Sequence, residues 1–251
     1  MKETTIKTLL LHYEVRGRRR EEEARGFLAA QLQRPCAVGV SWGKDSIVCA
    51  FLCATLLTPQ DWLFHVSAGE YEFPTTNDVR DDYLARFPCN YLELPSGDYF
   101  DAMRACGLTD VTSSRSAKED KGKKHMAFKQ GVIGARCRVW GLRADESSAR
   151  RKYARSHGRV SLHKGESLLV MSPIIWWSWL DVWSVIVANH LPYVEVYDKY
   201  DEQGEGLAHA RSGTWAGTLG ARTGRLAFLK RFYPELYQRL VREFPIASTH
   251  T

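Results

Sequence analysis

Residues Ser41-Trp42-Gly43-Lys44-Asp45-Ser46 combine two hydroxyls, a glycine, a lysine and a carboxylate in one short turn. Glycine lets backbone N–H groups close around an anion, and a helix after the turn would direct its positive end to the same point. Lys44 adds a cation, and Asp45 or Ser46 could hold Mg²⁺ or cap the helix. These residue types predict a phosphate or pyrophosphate site. An ordinary strand-to-helix turn with a Ser or Asp cap is the alternative.

The segments on either side of this turn predict the elements that would position it. Cys36–Ser41 is apolar and predicts a buried strand, and Asp45–Leu57 predicts an apolar helix. The turn is not a Walker A loop, because Val38 stands where that motif needs glycine. Asp45 also stands where that motif needs Ser or Thr.

The turn resembles the pyrophosphate loop (PP-loop), Ser-Gly-Gly-Lys-Asp-Ser, of the N-type ATP pyrophosphatases and of their relatives, the PAPS reductases. Trp42 stands where the family has a second glycine. Either the turn does not need a positive φ at this position, or the loop is altered. Four further stretches resemble the PAPS reductase family in the same order along the chain. They are His65–Thr76, Gly141–Arg150, Pro173–Ile186 and Leu191–Asp198.

The resemblance implies a site for an adenine nucleotide, with Lys44, Asp45 and Arg143 as its catalytic residues and Asp45 and Ser46 as ligands of Mg²⁺. The full set of binding residues that it implies is Ser41, Gly43, Lys44, Asp45, Ser46, Gly69, Gly141, Arg143, Glu146 and Arg150. Arg143 follows a predicted strand directly, and its guanidinium suits bidentate contact with phosphate oxygens. Glu146 and Arg150 also have the spacing of a plain helix salt bridge.

Strands alternate with helices along the chain, which predicts an α/β fold with a parallel sheet covered on both faces. The resemblance implies a Rossmann-like, adenine nucleotide alpha hydrolase-like sheet with N- and C-terminal helical additions. Further strands are predicted at 62–67, 90–94, 134–142 and 167–172, and helices at 20–34, 75–87, 98–106, 179–190 and 224–244. Ligands of such sheets bind beyond the carboxyl ends of the strands, where the loops 41–46, 67–76 and 142–150 would lie.

Three regions are expected: a helical extension at 1–34, a PP-loop nucleotide-binding domain at 35–200 and a Gly-rich C-terminal segment with a helix at 201–251. Thr112–Gly131 is poor in apolar residues and predicts a mobile loop near the mouth of the site. The tryptophans at 176, 177, 179 and 183 predict a core cluster or a base-stacking platform, and Asp181 predicts a helix cap.

Composition places the chain among globular proteins, with 251 residues, 44% hydrophobic residues and 25% charged residues. No apolar run is long enough for a membrane span and the N-terminus is not a signal peptide, so we expect a cytoplasmic protein. The net charge of +6 favours an anionic ligand and allows a nucleic-acid or protein acceptor. The basic run at Arg150–Arg155 is one candidate surface for an acceptor. The oligomeric state is left open.

The six cysteines form no CxxC pair, so neither zinc nor an Fe–S cluster is expected. Cys36, Cys49 and Cys53 lie in apolar segments and are expected to pack in the core. PAPS and APS reductases use a cysteine on a C-terminal tail, but no cysteine follows Cys137 in this chain.

The resemblance therefore implies an enzyme that binds ATP and cleaves it at the α-phosphate, through attack by an acceptor oxygen and release of pyrophosphate. One alternative is a sulfonucleotide (PAPS or APS) reductase that obtains its thiol elsewhere. The other alternative is a non-catalytic adenine-nucleotide sensor or binding module.

Overall fold

The computed structural model describes residues 1–67, 69, 72–95, 134–163, 168–202, 204, 206–208, 210, 212 and 225–250. These residues belong to two compact units. The first unit comprises Met1–Val66, Phe73–Glu93 and Val132–Ser212, and the second comprises Ser67–Glu72, Leu94–Gly131 and Gly213–Thr251. The helix predicted at 98–106 and the loop predicted at Thr112–Gly131 lie outside the described residues. No helix in the described part of the chain is long and apolar enough to cross a membrane.

The described strands form a six-stranded sheet in the order β3-β2-β1-β4-β6-β5. Strand β1 runs parallel to both β2 and β4, and β4 runs parallel to β6. This arrangement confirms the predicted α/β fold. The strands are β1 (Cys36–Gly39), β2 (Trp62–Ser67), β3 (Asn90–Pro95), β4 (Cys137–Val139), β5 (Val160–His163) and β6 (Leu168–Met171).

Strand β5 is antiparallel to β6 and forms one edge of the sheet, which the sequence analysis did not predict. Only the four residues 164–167 separate β5 from β6. A connection this short is long enough to join antiparallel neighbours, whereas a parallel pair needs a crossover of a dozen residues or more. The sheet is therefore mostly parallel rather than wholly parallel.

The centre of the sheet is β1, whose residues are all buried, and it is followed by α3 (Lys44–Ala54). Cys36, Cys49 and Cys53 are fully buried, as expected for cysteines that pack as small hydrophobes. Burial raises the pKa of the Cys49 thiol well above its usual value and raises the pKa of Cys53 to about 12. These thiols are consequently neutral at physiological pH and belong to the core.

The other helices of the first unit flank this centre. They are α1 (Glu3–His12), α2 (Arg18–Gln31), α4 (Thr76–Arg86), α5 (Ser148–His157), α6 (Trp179–Ala188) and α7 (Val196–Glu202). Trp177 and Trp183 are buried, as the core interpretation of the tryptophan cluster requires, whereas Trp176 is 44% exposed.

The prediction that the N-terminal helix begins near residue 20 is wrong. Helix α1 begins at Glu3 and continues through a π-helical turn, Tyr13–Gly17, into α2. Gly17 allows the close approach of this turn to α6, because a Cβ at Gly17 would lie 2.7 Å from the Ser184 hydroxyl. Arg25 of α2 donates hydrogen bonds to the carbonyls of Phe51 and Leu52 at the end of α3. The N-terminal segment thus packs on the core of the first unit.

The prediction of one C-terminal helix over Gly224–Phe244 is also wrong. The second unit has two helices, α8 (Arg225–Phe232) and α9 (Pro234–Glu243), followed by a 3₁₀ turn at Pro245–His250. Pro234 has no N–H for a helical hydrogen bond and disfavours the helical conformation at Tyr233, whose φ and ψ are −136° and 61°. The helical periodicity therefore continues past a residue at which the helix itself stops.

Asp181 joins the N-terminal helices to α6. One oxygen of its carboxylate accepts hydrogen bonds from the Ser178 N–H and hydroxyl at 2.8 and 2.9 Å, which completes a capping box. The other oxygen lies 2.9 Å from His12 Nε2 and 3.3 Å from Arg16 Nε. Burial alone would raise the pKa of Asp181, but these hydrogen bonds and the charge of Arg16 lower it below its usual value. The expected capping role is thus combined with a tertiary contact.

We expect Asp181→Ala to lower the free energy of unfolding by about 2–4 kcal/mol, because the variant loses a helix cap and a charged hydrogen-bond acceptor. Urea denaturation at pH 7 measures this loss. Because the folded-state pKa is depressed, the difference from wild type should shrink as the pH falls through that pKa, below about 4. Glu3→Ala removes only the exposed pair with Lys7 and should change the stability by less than about 0.5 kcal/mol. Equal stabilities of the two variants would contradict the role of Asp181.

Candidate functional site

The turn between β1 and α3 is closed by hydrogen bonds to one serine side chain. The Ser41 N–H donates to the Ser46 hydroxyl at 3.0 Å, and this hydroxyl donates to the Gly43 carbonyl at 2.9 Å. The Ile47 N–H also donates to the Gly43 carbonyl, which begins the regular hydrogen bonding of α3. Ser46 therefore shapes the loop from inside.

The first turn of α3 presents backbone N–H groups without an intrahelical acceptor. Gly43 is the N-cap and provides no side-chain cap. Neither the Asp45 N–H nor the Ser46 N–H makes a hydrogen bond to a described residue. These donors and the positive end of the helix dipole suit an anion. The helix therefore does not begin with a Ser or Asp side-chain cap, which was the alternative interpretation of this turn.

Three charged side chains from two segments meet beside this helix start. Asp45 Oδ2 lies 3.1 Å from Lys44 Nζ, and Asp45 Oδ1 lies 2.5 Å from Arg143 Nε. Lys44 and Arg143 are only 3% and 2% exposed. Arg143 also lies 3.3 Å from Asp145, which is half-exposed. One carboxylate thus binds two buried cations that the chain supplies from the loops after β1 and β4.

Gly141 explains how the loop after β4 comes so near to α3. A Cβ at this position would lie 2.7 Å from the backbone carbon and oxygen of Asp45. Strands β2 and β4 flank β1 on opposite sides, so the loops after β1 and β4 meet where the strand order reverses. Open α/β sheets bind their ligands at this position.

Glu146 and Arg150 adjoin this cluster through Arg143. The Glu146 carboxylate accepts the Arg143 backbone N–H at 3.1 Å and forms an ion pair with Arg150. The i,i+4 salt bridge that the spacing allowed is therefore present. Ser147 caps α5 by accepting the Arg150 N–H at 3.2 Å. A role of Glu146 or Arg150 in nucleotide binding stays a prediction.

Tyr197 belongs to the site, although the sequence analysis gave it no role. Its hydroxyl accepts the Lys44 N–H at 3.0 Å and donates to the Ser212 hydroxyl at 3.0 Å. Lys44 Nζ lies 5.6 Å from the centre of the Tyr197 ring and donates to the Ala210 carbonyl at 3.0 Å. A Cβ at Gly43 would lie 2.5 Å from the Ser212 hydroxyl, so a larger residue would require the Ser212 side chain to move. The only signal for Tyr197 was its place in the Leu191–Asp198 resemblance.

Trp42 adopts the left-handed backbone conformation, with a φ of 56°. The turn therefore does take a positive φ where the resembling loops have glycine. Its ring is fully buried, with its centre 5.8 Å from those of Tyr83 and Tyr91 and 6.3 Å from that of His65. Such a conformation is uncommon for a bulky residue, so aromatic packing must hold it in place.

Gly69 belongs to the second unit, has a φ of 58° and donates its N–H to the Ser67 hydroxyl, and its role in binding stays a prediction. Cys137 is the neighbour of Cys36 in the register of β4 and β1 and has a free thiol. Both residues lie at the amino ends of their strands, whereas the loops of the site follow the carboxyl ends. A strand rises about 3.3 Å per residue, so Cys36 and Cys137 lie on the order of 15 Å from Ser41.

Comparison with known proteins decides the family. Residues 35–234 match the sequence model of the phosphoadenosine phosphosulfate reductase domain. The chain belongs to this family. The matched residues include the Ser41–Ser46 turn, and its assignment as the family's PP-loop stays a prediction.

Relatives and solved structures are consistent with this family. The chain is 29% identical over 196 residues to the adenosine 5'-phosphosulfate reductase of Oceanobacillus iheyensis, covering 73% of this chain and 78% of the relative. The fold resembles the PAPS reductase of Candida auris, with a TM-score of 0.52, 15% identity and coverage of 79% of this chain and 92% of that chain. It also resembles the U34-tRNA thiolase NcsA of Methanococcus maripaludis, with a TM-score of 0.50, 16% identity and coverage of 88% and 79%.

We expect Trp42→Gly and Trp42→Ala both to destabilise the protein by about 3–5 kcal/mol, because each leaves a cavity between aromatic rings. Glycine accepts the left-handed conformation and alanine does not, so Trp42→Gly should be the more stable of the two by about 1 kcal/mol. Chemical denaturation of the two variants side by side measures this difference. If Trp42→Ala is as stable as Trp42→Gly, the loop is not strained at this position.

Proposed function

We propose that this family member binds ATP at the PP-loop and cleaves it at the α-phosphate. The observation that carries the proposal is the meeting of Lys44 and Arg143 on Asp45, beside the open N–H groups of α3. Phosphate oxygens offer these buried cations the same charge-assisted contacts that Asp45 and Asp145 now provide. The β- and γ-phosphates would lie on Ser41–Ser46.

In the proposed reaction an acceptor oxygen forms a bond to the α-phosphorus, and the bond from that phosphorus to the bridging oxygen of the β-phosphate breaks. The acceptor becomes adenylated, pyrophosphate leaves with the bond electrons, and the acceptor's proton passes to solvent or a base. Lys44 and Arg143 would stabilise the negative charge that develops on the phosphate oxygens. Positioning and charge stabilisation are the main requirements of such a transfer, and no protein nucleophile is needed.

Asp45 and Ser46 are the residues that would hold Mg²⁺ together with phosphate oxygens. The described residues include no cluster of three or more His, Cys, Asp or Glu side chains that could hold a metal ion without help. Mg²⁺ is commonly bound by one or two carboxylates plus phosphates, so the Asp45 carboxylate fits it once phosphate oxygens take its place at Lys44 and Arg143. The Ser46 hydroxyl oxygen, which already accepts the Ser41 N–H, would have to offer its remaining lone pair. When bound, Mg²⁺ would neutralise part of the negative charge of the pyrophosphate.

A sulfonucleotide reductase is the second candidate, because the relatives found by sequence include APS reductases. A sulfonucleotide would use the same cations for its phosphates. No cysteine follows Cys137, and Cys137 is buried at the far end of β4, where its thiol donates to the Gln33 carbonyl. Neither residues 138–251 nor the position of Cys137 provides the thiol that such a reaction uses, which favours ATP cleavage as the proposed function.

We expect Lys44→Ala to weaken ATP binding about ten- to a hundredfold, since it removes a charge-assisted contact worth roughly 1.5–3 kcal/mol. Arg143→Lys should weaken binding by a similar factor, because the charge stays but the planar fork is lost. Isothermal titration calorimetry with ATP, APS and PAPS measures these affinities and ranks the three nucleotides. Lys7→Ala, a remote exposed lysine on α1, is the control and should bind as wild type does.

Wild-type affinity in a folded Lys44→Ala variant would remove Lys44 from the site. Tight ATP binding without pyrophosphate release, even with cell extract as the source of acceptor, would instead identify a nucleotide sensor. Binding of PAPS or APS in preference to ATP, with sulfite release in the presence of a thiol donor, would establish the reductase alternative.

We expect Cys137→Ser to retain pyrophosphate release within about threefold of wild type, because the thiol lies far from the loop. The measurement is pyrophosphate release from ATP with extract as acceptor, after circular dichroism has shown that the variant is folded. Loss of turnover in a folded Cys137→Ser variant would favour thiol chemistry and contradict the proposed reaction.

A further inference from the structure

Two basic runs in the described part of the chain, 16–20 and 150–155, differ in whether their charges are ion-paired. In the first run, Arg18 and Arg19 are paired with Glu14 and Glu23, at 2.9 and 3.6 Å. In the second run, on α5, the side chains of Arg151, Lys152 and Arg155 are exposed. They make no ion pair or hydrogen bond in the described structure, and the segment 147–163 contains no Asp or Glu. Of these two described runs, only the second offers positive charge that is not ion-paired.

These three cations share one face of α5. Residues 151, 152 and 155 fall within an arc of about 100° on a helix of 3.6 residues per turn, and the rise from 151 to 155 is about 6 Å. The opposite face carries Ala154, which is buried, and Arg150, which is paired with Glu146. We call the exposed arc of Arg151, Lys152 and Arg155 the basic face.

The basic face adjoins the candidate nucleotide site along the chain. Arg143 forms an ion pair with Asp45, and its backbone N–H donates a hydrogen bond to Glu146. The next residue, Ser147, caps the helix that carries the basic face. A polyanion held on α5 would therefore lie next to the loop that binds the phosphates of ATP. The edge strand β5 follows α5 directly, so this part of the fold lies at the border of the sheet.

We infer that the basic face binds the phosphodiester backbone of a nucleic acid, which is the acceptor in the proposed reaction. The acceptor role depends on the proposed function, whereas the binding of nucleic acid to the basic face does not. Exposed Ser148 also lies on the arc, and no apolar residue does. Protein interfaces centre on apolar or aromatic anchors and are depleted of lysine, whereas nucleic-acid interfaces are strongly positive. Arginine also binds phosphate oxygens in bidentate geometry.

The test is the salt dependence of binding to a fluorescein-labelled 20-nucleotide single-stranded RNA, followed by anisotropy from 50 to 200 mM KCl. The variant is Arg151→Gln/Lys152→Gln/Arg155→Gln. The matched control is Lys7→Gln/Arg18→Gln/Arg19→Gln, which removes three exposed cations that are already ion-paired. Both triple variants lower the net charge equally, so a difference between them reports the basic face rather than the total charge.

We expect the α5 variant to reduce the slope of log K against log[KCl] by about 2–3, since each phosphate contact contributes about 0.7–0.9. Its affinity at 50 mM KCl should fall by more than about a hundredfold, whereas the control should fall by less than about threefold. Calorimetry should give the same ATP affinity for wild type and both triple variants. A DNA strand of the same sequence shows whether the sugar matters, and binding of either strand through the basic face supports the inference.

Equal loss of strand binding in the two triple variants would overturn the inference, and so would failure of wild type to bind either the RNA or the DNA strand. Displacement of the RNA by poly-glutamate at equal charge concentration would overturn it in favour of an acidic protein partner. Failure of wild type to bind ATP, with RNA binding still dependent on the basic face, would overturn the proposed function and leave the nucleic-acid surface intact.

Discussion

The pairing of Asp45 with Lys44 and Arg143 is the constraint around which the first unit is arranged. Buried cations are tolerated only when they are paired and hydrogen-bonded, and here a single carboxylate binds two of them. The two cations come from loops on neighbouring parallel strands, so β1 and β4 must keep their register for the pairing to form. Because Gly141 has no side chain, the loop after β4 can approach the backbone of Asp45 closely.

A site of this kind must exchange one set of contacts for another. In the proposed function, an incoming phosphate would compete with Asp45 and Asp145 for Arg143, and with Asp45 and the Ala210 carbonyl for Lys44. The affinity for the proposed nucleotide would therefore be a difference between two charged arrangements rather than the sum of new contacts. Tyr197 adds to this competition, because its hydroxyl already accepts the first N–H of α3.

The strands and the turn at Ser41–Ser46 could be predicted because their signals are local. Buried strands read as short apolar runs, and the loop is a contiguous motif, so Trp62–Ser67 was predicted with the bounds that the structure has. Tyr197 could not be given a role, because its contact with Lys44 joins residues 153 positions apart in the chain. The start of α1 was missed because a helix with exposed Leu10 and Leu11 lacks clean amphipathic periodicity. The break at Pro234 was visible in the sequence but was outweighed by the leucine spacing around it.

The aromatic enclosure of Trp42 has a consequence for the entropy of binding. A loop with two adjacent glycines samples many backbone conformations and loses that freedom when a phosphate orders it. In this chain the packing of one indole ring has already fixed the backbone between Ser41 and Gly43. The loop is preorganised, so its backbone entropy is lost during folding. A more flexible loop would lose this entropy each time that a phosphate binds.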